Sequence, residues 1–385
     1  MIPYSKQHIN QSDINEVTKI LKSEFLTSGP KIIEFEKAFA LYVGSKYAVA
    51  VSNGTAALHL AALVLGVNRN TRVMTTPISF VASANCVLYC GGNIEFVDID
   101  PKNYLLDINK LEKFLKNKTK GYISGLIVVD FAGYPAKMEL FRKIADKYGL
   151  WIIEDACHAP GAYFIDSKRK KQKCGNGNYA DLSVFSFHPV KHIATGEGGM
   201  ITTNRRDLYE KMLLLRGHGI TRDAEKMQEN HGGWYYEMQK LGFNYRLTDI
   251  QASLGISQLK RANANLKKRQ ELVRKYNKAF SGLKNKGLLC PNVEQWISHA
   301  YHLYVIQTDR RKQLYDYLKT KRINCQVHYI PIHLQPYYKK MGWKKGDFPV
   351  AEKYYEKCLS LPLFPSLKTK EQDYVIKQVQ DFYRI

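Results

Sequence analysis

The chain has 385 residues, of which 45% are hydrophobic and 24% charged. These proportions exclude a disordered or collagen-like chain, and no apolar run approaches the ~20 residues of a bilayer-spanning helix. Lysine and arginine number 58 against 35 acidic residues, a formal net charge of +23. That charge allows a nucleic acid, an anionic membrane or a phosphorylated small substrate as partner. The basic residues are dispersed. The densest run, Lys168-Arg169-Lys170-Lys171, passes into Gln172-Lys173-Cys174-Gly175 as a turn. No zinc-finger, helix-turn-helix or aromatic RNA-binding signature accompanies it, so a solvated basic surface is the plain reading. The seven cysteines are scattered and form no C-x-x-C pair, which argues for reduced thiols and against a zinc site. Met1-Ile2-Pro3-Tyr4-Ser5 has no apolar signal core. The expected setting is therefore the cytoplasm, with neither a membrane nor a nucleic acid as partner.

In chain order, Asp13 followed by Glu16 reads as a capping box that opens a first helix. Tyr47–Val51 reads as a buried strand and Ala56–Leu65 as the helix after it. Val73–Thr75 then leads to a helix at Ser79–Tyr89, and a strand at Gly125–Asp130 leads to a helix at Lys137–Tyr148. Strands follow at Trp151–Asp155, Leu182–Phe187 and Gly199–Thr203. This alternation predicts an α/β fold with a mostly parallel sheet. From about Leu247 the texture changes. Two long helices, Leu247–Lys260 and Asn263–Phe280, precede a strand at Tyr301–Gln307, a helix at Arg310–Lys319 and a strand around Gln326–Tyr329. Helices near Val350–Leu359 and Lys370–Tyr383 close the chain. The expected division is a large cofactor-binding unit over 12–250 and a smaller α+β unit over 251–385 together with 1–11.

Open α/β sheets bind ligands at the carboxyl ends of their strands. Four segments there carry polar groups. In Ser52-Asn53-Gly54-Thr55-Ala56, Gly54 permits a sharp turn, and Thr55 and Ala56 begin a helix whose free N–H groups suit a phosphate; a plain capped helix is the alternative. In Trp151-Ile152-Ile153-Glu154-Asp155-Ala156-Cys157-His158, Asp155 ends a buried strand. A carboxylate there requires a cationic partner, unless it merely caps a helix, and His158 lies just beyond it. Lys191 follows a strand end and precedes a glycine-rich turn; desolvation beside a phosphate site turns such an amine into a nucleophile and proton carrier. Asn244 precedes a long helix, where capping is the ordinary role. A phosphate cradle, a buried carboxylate and a lysine in that order fit pyridoxal 5′-phosphate. That cofactor needs an anion site, a carboxylate to keep its ring nitrogen protonated, and an amine to hold it.

The segments SNGTAALHL, TTPISFVASAN, EDACHAPGA, SVFSFHPVKHIATGEGGM and GFNYRLTDIQASLGISQLK resemble, over nearly the whole chain, the DegT/DnrJ/EryC1/StrS sugar aminotransferases. That family has fold type I of the pyridoxal-phosphate enzymes, a large α/β/α domain with a smaller α+β C-terminal domain. The resemblance implies that Lys191 holds the cofactor, Asp155 pairs with its ring nitrogen, and His158 sits beside the ring. It implies further that Phe80 stacks on the ring and that Thr55, Ala56 and Ser186 hold the phosphate. Asn244 is expected to reach the phosphate of a neighbouring subunit, which makes the active unit a homodimer with shared sites. For the nucleotide sugar the family pattern points to Tyr4, to Glu24-Phe25-Leu26-Thr27 and to Gln326-Val327-His328-Tyr329, with Ala56, Ser186 and Asn244 close by. FSFHPVKHIATGEGGM, the opening PYSKQHINQSDI and the CQVHYIPIH segment most resemble family members that act on a UDP-linked 4-keto-6-deoxy-N-acetylhexosamine, and the resemblance implies L-glutamate as amino donor. No metal is implied. Two departures stand out: Cys157 replaces a small serine or alanine, and His192 follows the lysine where proline is usual. A sugar dehydratase on the same scaffold is the other enzymatic reading, but its members carry histidine at the position of Lys191.

Overall fold

Seven strands form the central sheet, in the order Tyr47–Val51, Gly199–Thr203, Leu182–Ser186, Trp151–Asp155, Gly125–Val129, Arg72–Thr75 and Asn93–Phe96. Gly199–Thr203 runs antiparallel to both its neighbours, and every other pairing between neighbours is parallel. The computed structural model describes residues 1–384; Ile385, the last residue of the expected smaller unit, lies outside them. Strands such as Gly125–Val129 and Gly199–Thr203 are buried along their full length, as a parallel sheet covered on both faces requires. Alternate side chains feed two separate cores. Val49 and Val51 join the cluster around Leu126, Ile152 and Leu182, whereas Ala48 and Ala50 join Phe35, Phe39, Phe185 and Phe187. The outcome is a three-layer α/β/α arrangement.

A third core belongs to the end of the chain. Leu272, Tyr276, Leu314, Leu359 and Val379 gather around a three-stranded antiparallel sheet in the order Leu288–Leu289, Tyr304–Thr308, Cys358–Leu361. The helix Asp249–Lys260, which straddles the expected division, packs against the helices Gln11–Leu21 and Pro30–Val43. Arg269, fully buried, donates to the carbonyls of Tyr301 at 3.2 Å and Leu363 at 3.0 Å and so ties the long helix Ala262–Phe280 to two loops.

Several expectations need correction. The first helix spans Gln11–Leu21 and is capped by Asn10, so Asp13 is the third residue of the reciprocal box and not its start. The helix after Thr75 begins at Ala82, because Ser79 and Phe80 belong to the loop that enters it. Gln326–Tyr329 is not a strand: one bridge links Gln326 to Ser360, and the His328 carbonyl then accepts from the Tyr354 hydroxyl at 2.9 Å. A side chain thereby takes the place of a ladder partner. The helix near Val350 ends at Lys357, and Cys358–Leu361 is a strand. The helix Pro30–Val43 was not anticipated, although proline at its first turn and left-handed Gly44 at its end mark both boundaries.

Candidate active site

Loops leaving the carboxyl ends of four parallel strands converge on a cavity of ≈ 640 Å³. Asn53, Gly54, Thr55 and Ala56 follow Val51; Ser79 and Phe80 follow Thr75; Asp155, Cys157 and His158 come from the end of the central strand; Ser186 and Lys191 follow the next. Tyr4, His302, His328 and Tyr329 close the opposite wall. The sheet thus provides a rigid platform, and segments from both ends of the chain cover it.

The phosphate cradle depends on close approach. A Cβ on Gly54 would lie 2.9 Å from the Cβ of Ser186, and one on Gly199 would lie 2.4 Å from the carbonyl oxygen of Asn53. Only glycine lets these segments pack together here. Thr55, the second residue of the helix Gly54–Val64, has no intrahelical acceptor for its N–H. The Ala56 N–H, expected to be free, instead donates to the Asn53 side chain at 2.8 Å.

Asp155 is buried and receives two donors: the Ser83 hydroxyl at 2.6 Å on Oδ2 and the Cys157 amide at 3.2 Å on Oδ1. Lys191 is the one lysine or arginine among the described residues that line the cavity. Its side chain reaches the cavity, yet burial lowers its pKa from the usual ammonium value, with Cys157 and Asp155 pulling weakly the other way. His158 is held well below the normal imidazole range by burial and then by the charge of Lys191. Its Nδ1 accepts the Ala132 amide at 3.2 Å, and its Nε2 faces the Tyr329 hydroxyl at 3.4 Å. The His302 ring lies behind it with centroids 4.3 Å apart, and His192 follows at 5.8 Å. Tyr4 packs on His328 at 5.4 Å, and the Phe80 ring stands 6.2 Å from Tyr329.

Of the residues singled out in the sequence, Tyr4, Thr55, Ala56, Phe80, Asp155, His158, Ser186, Lys191, His328 and Tyr329 line the cavity. Glu24, Phe25, Leu26 and Thr27 lie on the surface and outside this lining, with Thr27 bridged to Thr248. Gln326 and Asn244 are exposed, Val327 is half-buried, and none of the three lines the cavity of this protomer. Sequence reading missed Ser79, Ser83 and His302. A signal existed for the first two, which stand four residues apart in PISFVASAN and so on one side of a helix entry. His302 carried none.

A helix N-terminus beside Ser186, a buried carboxylate and a desolvated amine form a donor set that fits pyridoxal phosphate. The model of the DegT/DnrJ/EryC1/StrS aminotransferase family matches residues 7–380. The chain belongs to that family. It is similar to the spore coat polysaccharide biosynthesis protein SpsC of Bacillus subtilis, at 39% identity over 100% of this chain and 97% of the relative. It is equally similar, at 39% over 97% of this chain and 96% of the relative, to the UDP-4-amino-4,6-dideoxy-N-acetyl-beta-L-altrosamine transaminase of Campylobacter jejuni. Among solved structures, the putative sugar aminotransferase Spr1654 of Streptococcus pneumoniae superposes with a TM-score of 0.91 at 28% identity, covering 100% of this chain and 99% of that one. That protein has been solved in PMP and PLP forms. The fold is thus fold type I, the cofactor is pyridoxal phosphate, and the enzyme is a sugar aminotransferase. The family implies a glutamate-type donor and a keto nucleotide sugar. No helix among the described residues is long and apolar enough to cross a membrane.

Proposed function

We propose that this enzyme transfers the amino group of L-glutamate to C4 of UDP-2-acetamido-2,6-dideoxy-4-keto-hexose, the β-L-arabino isomer first. The product is UDP-4-amino-4,6-dideoxy-N-acetyl-β-L-altrosamine, made in the cytoplasm for pseudaminic acid synthesis. The observation that carries this reading is a single cavity in which Asp155 and Lys191 share walls with Tyr4, His328 and Tyr329. The Campylobacter jejuni relative, whose name states this product, supports it at 39% identity.

Bound pyridoxal phosphate supplies an electron sink and carries nitrogen between the two substrates. Lys191 would hold it, and the same amine would take and return the proton at the donor Cα. Asp155 keeps the ring nitrogen protonated. His158 and Phe80 orient the ring, and Thr55 and Ser186 hold the phosphate beside Ala56. Asn244 reaches the phosphate of the neighbouring subunit, so the homodimer shares its sites, and Glu24–Thr27 complete the sugar site there. Tyr4, His328 and Tyr329, flanked by Gln326 and Val327, meet the sugar. The cofactor unit is 12–250, and the smaller unit is 251–385 with 1–11.

SpsC, a differently named relative of equal identity, supports a second reading: another nucleotide-linked 4-keto sugar as acceptor. The test is incubation with glutamate and a panel of UDP-, dTDP- and GDP-linked 4-keto sugars, with products identified by mass spectrometry and NMR. Fastest amination of the UDP-linked β-L-arabino sugar supports the proposal. Preference for a dTDP or GDP sugar overturns it in favour of the second reading.

A further inference from the structure

We infer that Ser79 and Ser83 form a directional hydroxyl chain that orients Asp155 toward the cofactor's ring nitrogen. The inference rests on the role proposed for Asp155 and adds two positioning residues to it.

Ser83 Oγ lies 2.6 Å from Asp155 Oδ2, and Ser79 Oγ lies 2.7 Å from Ser83 Oγ. All three residues are buried, at 4%, 1% and 5% exposure for Ser79, Ser83 and Asp155. The direction of the chain follows from chemistry. An ionised carboxylate only accepts, so Ser83 must spend its one hydroxyl proton on Asp155. The Ser83 oxygen can then only accept from Ser79, and the Ser79 hydroxyl proton points along the same path. The bond to Asp155 is charge-assisted and short, the kind that fixes geometry.

Asp155 needs such neutral anchors. Lys191 is the one lysine or arginine among the described residues of the cavity wall, and its amine is committed to holding the cofactor. Just past the neighbouring strand end stands Asp130, also buried, and the residue before Asp155 in its own strand is the buried acid Glu154. With acids rather than cations behind it, the carboxylate is held by the Cys157 amide on one oxygen and by Ser83 on the other. Both oxygens being pinned, the carboxylate plane cannot turn. Ser79 also precedes Phe80, so the chain links the residue proposed to stack on the ring to the carboxylate beneath it.

The test compares Ser83→Ala, Ser83→Cys, Ser79→Ala and Asp155→Asn as holoenzymes. Three quantities are read: the pH midpoint of the bound cofactor's visible band, the dissociation constant of pyridoxal phosphate by dialysis, and the melting temperature of the cofactor-free chain. Ser83→Ala is expected to weaken cofactor binding about tenfold, the loss of about one hydrogen bond. It should move the midpoint in the same direction as Asp155→Asn but less far, and Ser79→Ala should move it less again. Ser83→Cys has nearly the same size and a weaker donor, so it keeps the packing and gives an intermediate shift. If Asp155→Asn moves the midpoint while Ser83→Ala and Ser83→Cys leave it at the wild-type value, the chain is only structural and the inference falls alone. If Asp155→Asn leaves the midpoint unmoved, the role of Asp155 falls and takes the inference with it.

Discussion

The amide of Ala132 donates to His158 Nδ1 at 3.2 Å, which places the proton of the neutral ring on Nε2, the nitrogen that faces Tyr329. Ala132 is itself held at φ 58°, inside the tight turn after the strand Gly125–Val129. The sheet therefore sets the tautomer as well as the place of this ring. Seven histidines are buried among the described residues, and burial lowers the pKa most strongly in five of them, His158, His192, His299, His302 and His328.

These five make stability steeply pH-dependent on the acid side. Burial lowers the pKa of each, for His299 and His328 to about 3. The unfolded chain takes up protons below about pH 6.5, and the folded chain does not. Stability present above that pH is then lost as pH falls toward the folded values, by about 1.4 kcal/mol per pH unit for each histidine. Urea unfolding at pH 7.5, 6.5 and 5.5 should show this slope, and His302→Phe should reduce it. A flat profile over that range would show that the rings are not held neutral.

Lys191 imposes the same cost over a more alkaline range. Its folded pKa is lowered, so folding is least penalised above about pH 10.5, where the free amine is neutral, and most penalised near neutrality. The cofactor-free Lys191→Met variant should therefore melt higher than the wild type at pH 7, by a margin that narrows as the pH rises toward 10. The same variant should lose the yellow, borohydride-fixable cofactor. A lower melting temperature at pH 7 would contradict the desolvation of this amine.

Asp130 offers a comparison among acids. It lies with Glu154 and Cys174 in a buried group whose polar atoms are all within 4.8 Å of one another. Its carboxyl is pushed well above the usual range by burial and then by the charge of Glu154. A raised carboxyl stabilises the fold at low pH and loses that contribution as pH rises. Asp130→Asn should thus gain melting temperature relative to wild type more at pH 8 than at pH 5. An equal change at both values would show that Asp130 carries no retained proton.

The sugar wall and the cofactor floor should separate kinetically. Tyr329→Phe removes one hydroxyl, and His328→Ala one ring; a stranded polar group on the acceptor costs about 1–3 kcal/mol, or roughly tenfold to a hundredfold in kcat/KM for the keto sugar. Conversion of the cofactor to its amine form by glutamate, followed by absorbance, should change far less. An equal loss in both halves would assign these residues to the cofactor.

Mixed dimers test whether sites are shared. Lys191→Ala and Asn244→Ala subunits should each be inactive alone. In a hybrid, one site collects both defects and the other none, so activity should return toward a quarter of wild type after full exchange of equal amounts, an estimate of about half hybrids with one good site each. No recovery after verified exchange counts against Asn244 acting across an interface.

Much of this site could be read from the sequence because its residues sit at positions that topology rewards. Asp155 and Ser186 end strands and Lys191 follows one, where parallel sheets present ligands, and Gly54 announces a tight approach. What could not be read depends on contacts between distant segments. Ser83 meets Asp155 across 72 positions of chain. The contact of His302 with His158 arises only when the last third of the chain folds onto the middle third. The segment Gln326–Tyr329 alternates like a strand, but its partner is a tyrosine hydroxyl, which no local pattern encodes.

The cover over the cavity is made from two remote pieces that are physically one. Ile2 bridges to Ile323, the Leu363 amide donates to the Tyr4 carbonyl at 2.9 Å, and the Tyr4 ring rests on His328. The floor, from Asn53 to Lys191, uses neither piece. If Tyr4, His328 and Tyr329 meet the acceptor as proposed, this part of the acceptor wall can be exchanged as one unit. A chimera that exchanges residues 1–11 alone would break the contacts to Ile323 and Leu363 that hold this cover. One that moves residues 1–11 together with Ile323–His333 and Leu363 keeps them and leaves the floor from Asn53 to Lys191 unaltered.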